Sequence, residues 1–280
     1  MLPRELLHFF TQLIKKELGI VYQMNNEFQL EARLDEIARH LKMNDVSELW
    51  SACRNGVSPE IMKVIADLIT NKETSFFRDM KAFHSLKDTI IPSLCYKGRI
   101  LPIRIWCAAT SFGQEPYTLS MILSEYTSKD PSAAAYEIMA TDISRVALER
   151  AKRGVYSQLE VQRGLPAAYL LKYFTRVENE QWQVNEALKK RITFQRQNLI
   201  EPFSHLGQFD LVLCRNVLIY QPVENKIEII KRISSILKPN GYLLLGSAET
   251  LVGLSTDYEQ VNTNGSVYYR SKAAVPLKAA

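Results

Sequence analysis

Residues 99–123, RILPIRIWCAATSFGQEPYTLSMIL, decide the fold. Arg99 to Trp106 is rich in β-branched and apolar side chains and reads as a buried strand. A short turn containing Gly113 follows, and from Glu115 to about Thr127 the pattern is helical. A strand, a tight glycine-containing turn and a helix open a βαβ unit. The alternation continues outward from there. AYEIMATDIS (135–144) is a second strand that ends in an acid, and SRVALERAKRG (144–154) is its helix. RITFQRQNL (191–199), FDLVLCRN (209–216) and GYLLLGSA (241–248) are three further strands. A helix from Val223 to Leu237 separates the last two, stopped by Pro239 and Gly241. YEQVNTNGSVYYR (258–270) is a hairpin about an Asn264-Gly265 turn, so the last strand runs antiparallel. Strand–helix alternation of this kind predicts an α/β fold, a mostly parallel sheet covered on both faces.

Upstream of residue 99 the periodicity is helical. Leu30, Leu34, Ile37 and Leu41 form one stripe; Ile61, Val64, Ile65 and Leu68 form another, behind a Ser58-Pro59 start signal. Charge divides the same way. Residues 1–80 carry 10 Lys+Arg and 12 Asp+Glu, a net of −2, leaving 25 and 18, a net of +7, for residues 81–280. The expected organisation is a helical N-terminal domain over 1–78, a linker and joining helix over 79–98, and an α/β domain over 99–280. Within the last, 174–195 reads as a small β excursion.

The 280 residues are 46% hydrophobic and 23% charged, ordinary globular values that exclude a disordered chain, a collagen and a coiled coil. No segment approaches the ~18 uncharged apolar residues of a membrane span, and Arg4, Glu5, Lys15 and Lys16 interrupt the first twenty residues. Direct membrane insertion is not expected, and a cytoplasmic location is. Cys53, Cys95, Cys107 and Cys214 show neither CxxC spacing nor His pairing, so no metal site is expected. A net charge of +5 is too small for a nucleic-acid stripe.

In an open parallel sheet the ligand sits beyond the carboxyl ends of the strands. After the first strand, Ala108 to Glu115 contains no GxGxxG, which argues against a dinucleotide pyrophosphate. After the second stands Asp142, placed to accept both hydroxyls of a ribose or to cap the next helix. Arg215 and Asn216 follow the fourth strand directly, without the Asn-Pro-Pro-Tyr run of amide and amine methyltransferases. Thr74, Ser75, Phe76, Phe77, Arg78 and Asp79 join the two parts, where Arg78 can clamp a carboxylate.

Together, NKETSFFRD (71–79), IWCAATSFGQEPYTLSMIL (105–123), ATDIS (140–144), FDLVLCRNVLIYQ (209–221) and GYLLLGSAE (241–249) resemble the CheR family of chemotaxis receptor glutamate methyltransferases. The resemblance covers nearly the whole chain. It implies a class I, Rossmann-like methyltransferase domain behind a small helical domain. It also implies S-adenosylmethionine (AdoMet) as cofactor, with S-adenosylhomocysteine as product. The implied substrates are glutamates on chemoreceptor cytoplasmic helices. By position, Thr74 and Arg78 would lie at the methionine end of AdoMet, Glu115 on its methionine moiety and Asp142 on its ribose. Asn198 and Leu199 would flank the adenine, Arg215 and Asn216 would line the pocket, and Tyr220 would lie near the transferring methyl. Arg78 and Tyr220 are the expected catalytic pair.

Two departures are visible. Lys72 occupies the place, two residues before Thr74, where the family often has Asn, and Asn71 is one position earlier. RVENEQWQV (176–184) is short and lacks glycine, so a tether to a receptor C-terminal peptide is not expected. The alternative reading is an AdoMet-binding signalling adaptor without catalysis, which base-labile methyl transfer distinguishes from an enzyme.

Overall fold

The computed structural model describes residues 2–22, 27–95, 99, 101–130, 135–263 and 265–272. Its front is helical: α1 (Arg4–Leu18), α2 (Glu27–His40), α3 (Val46–Cys53) and α4 (Pro59–Ile69). Their apolar stripes share one core in which Phe10, Ile14, Leu34, Ile37, Leu49 and Ile65 are fully buried. Burial of each contributes roughly 1.5–3 kcal/mol. Ser58 caps α4, its hydroxyl accepting the Ile61 N–H at 3.2 Å, with Pro59 in the first turn.

The joining segment is α5 (Met80–Ser85), a π-helical turn over Leu86–Ile90, and α6 (Ile91–Leu94). Pro92 has no N–H to donate to the turn before it, and the loosened turn absorbs that loss. Residues 96–98, where this segment was expected to end, lie outside the described residues.

The body runs β1 (Ile103–Ala108), α7 (Gln114–Lys129), β2 (Tyr136–Asp142), α8 (Arg145–Arg153), β3 (Val155–Tyr156), α9 (Gln158–Gln162), α10 (Ala167–Tyr173), β4 (Phe174–Val177), β5 (Gln181–Val184), α11 (Glu186–Lys189), β6 (Ile192–Arg196), β7 (Phe209–Cys214), α12 (Val223–Ile236), β8 (Leu237–Leu245), β9 (Tyr258–Thr263) and β10 (Ser266–Ser271). The main sheet has the order β6-β2-β1-β7-β8-β10-β9. Every pairing from β6 to β8 is parallel, and β10 is antiparallel to both of its neighbours. This is the class I methyltransferase sheet. The last strand enters between β8 and β9 rather than at the edge. Asn264 of the expected turn lies outside the described residues.

Side chains alternate across the sheet. Ile105, Cys107, Leu211 and Leu213 join the core on one face, and Trp106, Ala108, Val212 and Cys214 the core on the other. Both faces are therefore dry, and α7 and α12 cover them. β3, β5 and β4 form a separate three-stranded antiparallel sheet with β5 in the middle.

Two strand limits differ from the sequence reading. The first strand begins at Ile103, not Arg99, because Pro102 cannot donate to a ladder. The Arg99 side chain instead donates to the Leu101 and Pro102 carbonyls. β8 begins at Leu237, ahead of Pro239 and Gly241, with an irregular register opposite Phe209–Leu211 that accommodates both.

Asp210 anchors this end of the sheet. Its Oδ2 accepts Arg99 Nη2 at 2.8 Å, Lys238 Nζ at 2.9 Å and the Arg104 N–H at 2.9 Å. Removing the anion from a buried cluster of cations costs about 3–5 kcal/mol. Asp210→Ala is expected to lower the unfolding free energy by about 3 kcal/mol, read from urea midpoints at constant slope.

Candidate functional site

β1 lies between β2 and β7, so the crossovers leave it in opposite directions and a crevice opens at its carboxyl end. The turns after β1, β2 and β7 form one wall of that crevice. The helical front supplies the other, through Leu18–Tyr22, Gln29 and Arg33, and Ile69–Arg78. The enclosed cavity is about 330 Å³, within the range of small-molecule sites.

The walls are held in sparsely populated backbone conformations. Ala109 and Ser111 after β1, Asn216 after β7, and Phe77 and Asp79 on the joining segment all have positive φ without being glycine. Such residues cluster where a site is held in place by its surroundings. Gly113 (φ +92°) ends the first turn, and a Cβ there would lie 2.9 Å from the Ala151 Cβ of α8. The glycine lets α7 and α8 close up beneath the crevice.

Asp142 ends β2 with a 9% exposed side chain. Its Oδ2 accepts the Ser111 N–H at 2.8 Å and its Oδ1 the Ser144 N–H at 2.9 Å. The cap of α8 is Ser144, whose hydroxyl accepts the Ala147 N–H, so capping is not the duty of Asp142. Burial raises the Asp142 pKa, opposed by the two N–H donors and by Lys72. Ser144 also reaches the helical front, its hydroxyl donating to Asp67 of α4 at 2.6 Å. Lys72 is half-buried and its ammonium donates to the Asp67 carbonyl. Burial lowers its pKa, with Asp67 acting against that.

Arg215 is the buried cation of the site. It donates to Glu115 at 2.7 Å, to Asp79 at 2.8 Å and to the Arg78 carbonyl at 2.8 Å, and it lies over the Phe83 ring. Burial works against the cation, but Glu115 and Asp79 outweigh it and raise its pKa. For Glu115 burial pushes the carboxyl up, and Arg215 opposes this. Arg78 lines the cavity, with Nη1 donating to the Glu73 carbonyl at 2.9 Å.

The Arg215–Tyr220 loop is shaped by a residue to which the sequence reading assigned no role. Glu249 accepts the backbone N–H groups of Asn216, Val217, Ile219 and Gly246 at 2.7–3.2 Å. Gly246 admits this packing, since a Cβ there would lie 2.7 Å from both the Glu249 carboxylate and the Asn216 amide. The GSAE run after β8 was the available signal. Tyr220 sits in the 3₁₀ turn Leu218–Tyr220, with its carbonyl accepting the Val21 N–H at 2.9 Å.

All the expected residues, Lys72, Thr74, Arg78, Glu115, Asp142, Asn198, Leu199, Arg215, Asn216 and Tyr220, line this one cavity. Asn198 does so with its amide engaged, donating to the Glu17 carbonyl at 2.8 Å and accepting the Ile200 N–H at 3.3 Å. Tyr22, Gln29, Arg33 and Asn71 were not expected in it and line it too.

The donor set fits AdoMet. A buried carboxylate ends β2, a carboxylate–guanidinium pair lies under the turn after β1, and Ile143, Leu199 and Val217 offer apolar surface for a base. Thr110 Oγ1 and Arg215 Nε are buried without a hydrogen-bond partner, and both residues line the cavity. Fold and cleft define a class I methyltransferase. The family profile described as "CheR methyltransferase, SAM binding domain" matches residues 72–267. Chemotaxis protein methyltransferase 1 of Pseudomonas aeruginosa is 36% identical over 265 residues, 94% of this chain and 96% of that one. Chemotaxis protein methyltransferase 1 of Vibrio cholerae is 34% identical over 264 residues, covering 94% and 95%. The chemotaxis protein methyltransferase of Borreliella burgdorferi is 31% identical over 256 residues, covering 90% of each. The chain belongs to the CheR methyltransferase family and is an AdoMet-dependent methyltransferase of chemotaxis. Among the described residues, no helix is long and apolar enough to cross a membrane.

Proposed function

We propose that the chain methylates glutamate side chains on the cytoplasmic helices of chemoreceptors, giving glutamate methyl esters. The observation that carries this is the state of the ionisable groups in the cleft. Among the described residues, no histidine or cysteine lines it. Its three carboxylates are all engaged: Glu73 with Arg163 at 2.6 Å, Glu115 with Arg215, and Asp142 with two backbone N–H groups. Lys72, the one amine among the described lining residues, has its ammonium on the Asp67 carbonyl, so no imidazole, thiol or free carboxylate is left as a general base. A carboxylate substrate is ionised at neutral pH and needs none, whereas an amine or hydroxyl nucleophile must lose a proton.

AdoMet supplies an electrophilic methyl carried on a sulfonium. The chain's part is to hold the nucleophile in line with it and to exclude water. An anion and a cation become two neutral products, so charge disperses along the reaction. A dense oxyanion hole would hold the reactants back. Orientation by one guanidinium suits this better, and Arg78, which lines the cavity and is braced by the Glu73 carbonyl, takes that part in this reading. Tyr220 shapes the approach at the mouth of the site. Asp142 accepts the ribose hydroxyls, and Glu115, held by Arg215, faces the methionine moiety with Thr74. Leu199 and the backbone at Asn198 flank the adenine. Lys72 lies beside Asp142, and Asn216 completes the wall.

The substrate enters past the helical front. Arg33 of α2 lines the cavity and pairs with Glu36, Lys72 and Arg78 follow it, and Phe28 is 82% exposed on the same helix. A locally cationic rim suits an acidic receptor helix although residues 1–80 are net negative. The small sheet turns at Asn179-Glu180 without glycine, and no receptor-tail tether is part of this reading.

With tritiated AdoMet and chemoreceptor-containing membranes, the wild type is expected to transfer base-labile counts. Arg78→Ala should lower kcat/KM by about tenfold or more at unchanged melting temperature; wild-type kinetics would remove Arg78 from the site. Ionised Asp142 is the acceptor for the ribose, so protonation removes the bond, and burial raises the pH at which this happens. AdoMet affinity by calorimetry should therefore fall as pH is lowered, beginning at a higher pH than for a solvent-exposed aspartate. Asp142→Asn should bind about tenfold more weakly with that dependence lost. Titration of a receptor C-terminal peptide should show no micromolar binding.

A further inference from the structure

Tyr220 and Asn71 are 149 residues apart and meet across the mouth of the cleft, Asn71 Nδ2 lying 2.8 Å from the Tyr220 hydroxyl oxygen. The polarity of that contact is set by a second bond. Asn71 Oδ1 accepts the backbone N–H of Glu73 at 3.0 Å, so the oxygen of the amide faces its own chain and the NH₂ faces the tyrosine. An NH₂ group only donates, so the Tyr220 oxygen is the acceptor. A phenol that accepts in this direction cannot also point its hydrogen there. Its O–H is directed away from Asn71. The backbone of Tyr220 is fixed independently, its carbonyl accepting the Val21 N–H and its own N–H donating to Val217. Both ends of the residue are thus held by the helical front, the backbone by Val21 and the hydroxyl by Asn71.

We infer that Asn71 is a positioning residue for methyl transfer: by donating to Tyr220 it turns the phenolic O–H towards the incoming carboxylate. The inference rests on the reading of Tyr220 given above and adds the residue that sets its direction. One neutral donor on the oxygen that does not attack orients a carboxylate without trapping its charge. The arrangement also ties this orientation to the helical front, because Asn71 lies two residues past the end of α4 at Ile69.

The diagnostic variant is Asn71→Asp. It is isosteric and keeps an acceptor for the Glu73 N–H, but it offers Tyr220 an acceptor instead of a donor. The phenol then donates to residue 71, away from the substrate. AdoMet affinity by calorimetry, kcat and KM for receptor are measured for Asn71→Asp, Tyr220→Phe and the double variant. The expected result is a kcat lowered about five- to tenfold in Asn71→Asp, close to that of Tyr220→Phe, with AdoMet affinity within about twofold of wild type. In the Tyr220→Phe background, Asn71→Asp should add no further loss. Asn71→Gln, which keeps an NH₂ donor, should recover part of the rate. A slow Tyr220→Phe beside a wild-type Asn71→Asp overturns the role of Asn71 and leaves that of Tyr220 intact. An equal loss from Asn71→Asp with and without the tyrosine hydroxyl also overturns it. Wild-type turnover in Tyr220→Phe removes Tyr220 from the reaction and Asn71 with it.

Discussion

The buried guanidinium of Arg215 fixes the geometry on which the site depends. A cation at 6% exposure at the tip of β7 must be neutralised, and the neutralising groups come from two directions. Glu115 arrives from the first turn of α7, and Asp79 with the Arg78 carbonyl arrives from the joining segment. Satisfying one side chain therefore brings the turn after β1, the tip of β7 and the Arg78–Asp79 stretch to one point. Removal of either carboxylate would leave charge buried and underpaired, a penalty of several kcal/mol. The positive φ values at Phe77 and Asp79 follow from the same demand. The segment has to bend sharply to bury Phe76 and Phe77 on one side while giving Asp79 to Arg215 on the other.

The helical front is part of the cleft rather than an appendage. It contacts the body through directional bonds at separate places: Asp67 with Ser144, the Lys72 carbonyl with the Ser111 hydroxyl, the Leu18 carbonyl with Gln221, and the Glu17 carbonyl with Asn198. Each partner in the body is at or beside a residue of the cavity wall. Ile143, next to Asp142, packs against the core of the helical front. A shift of the front would thus be felt at β2, at the turn after β1 and at the loop after β7 together.

What was legible in the sequence had a period or a local signature. The 99–123 stretch shows a strand, a turn and a helix because apolar spacing changes at the glycine. Ser58-Pro59 announces a helix start through its own side-chain chemistry, whereas for α8 the sequence points to Asp142 as a cap and the structure has Ser144. The family motifs brought the expected site residues into one list, and the structure brings the same residues to one cavity. The rest depends on contacts without local trace. Glu249 serves four N–H groups of loops distant in sequence, and nothing around it is periodic. β3 is two residues long and exists because β5 pairs with it. Tyr22, in the segment after α1, and Gln29, on α2, carry no distinguishing signal until the front folds over the body.

Chemistry and architecture constrain one another here. The proposed reaction between an anion and a sulfonium gains little from a general base, so the cleft has no need of a free proton acceptor for the substrate. Its acidic side chains can then all be used to build structure, on Arg215, on Arg163 and on the backbone beside Asp142. On the proposed reading the cations left at the rim meet the substrate. Arg33 and Lys72 come from the helical front, and Arg78 stands where the front gives way to the body. In that reading the substrate's charge meets the front of the molecule, and the cofactor lies between front and body. The joining segment, pinned by Arg215, sets the distance between the two.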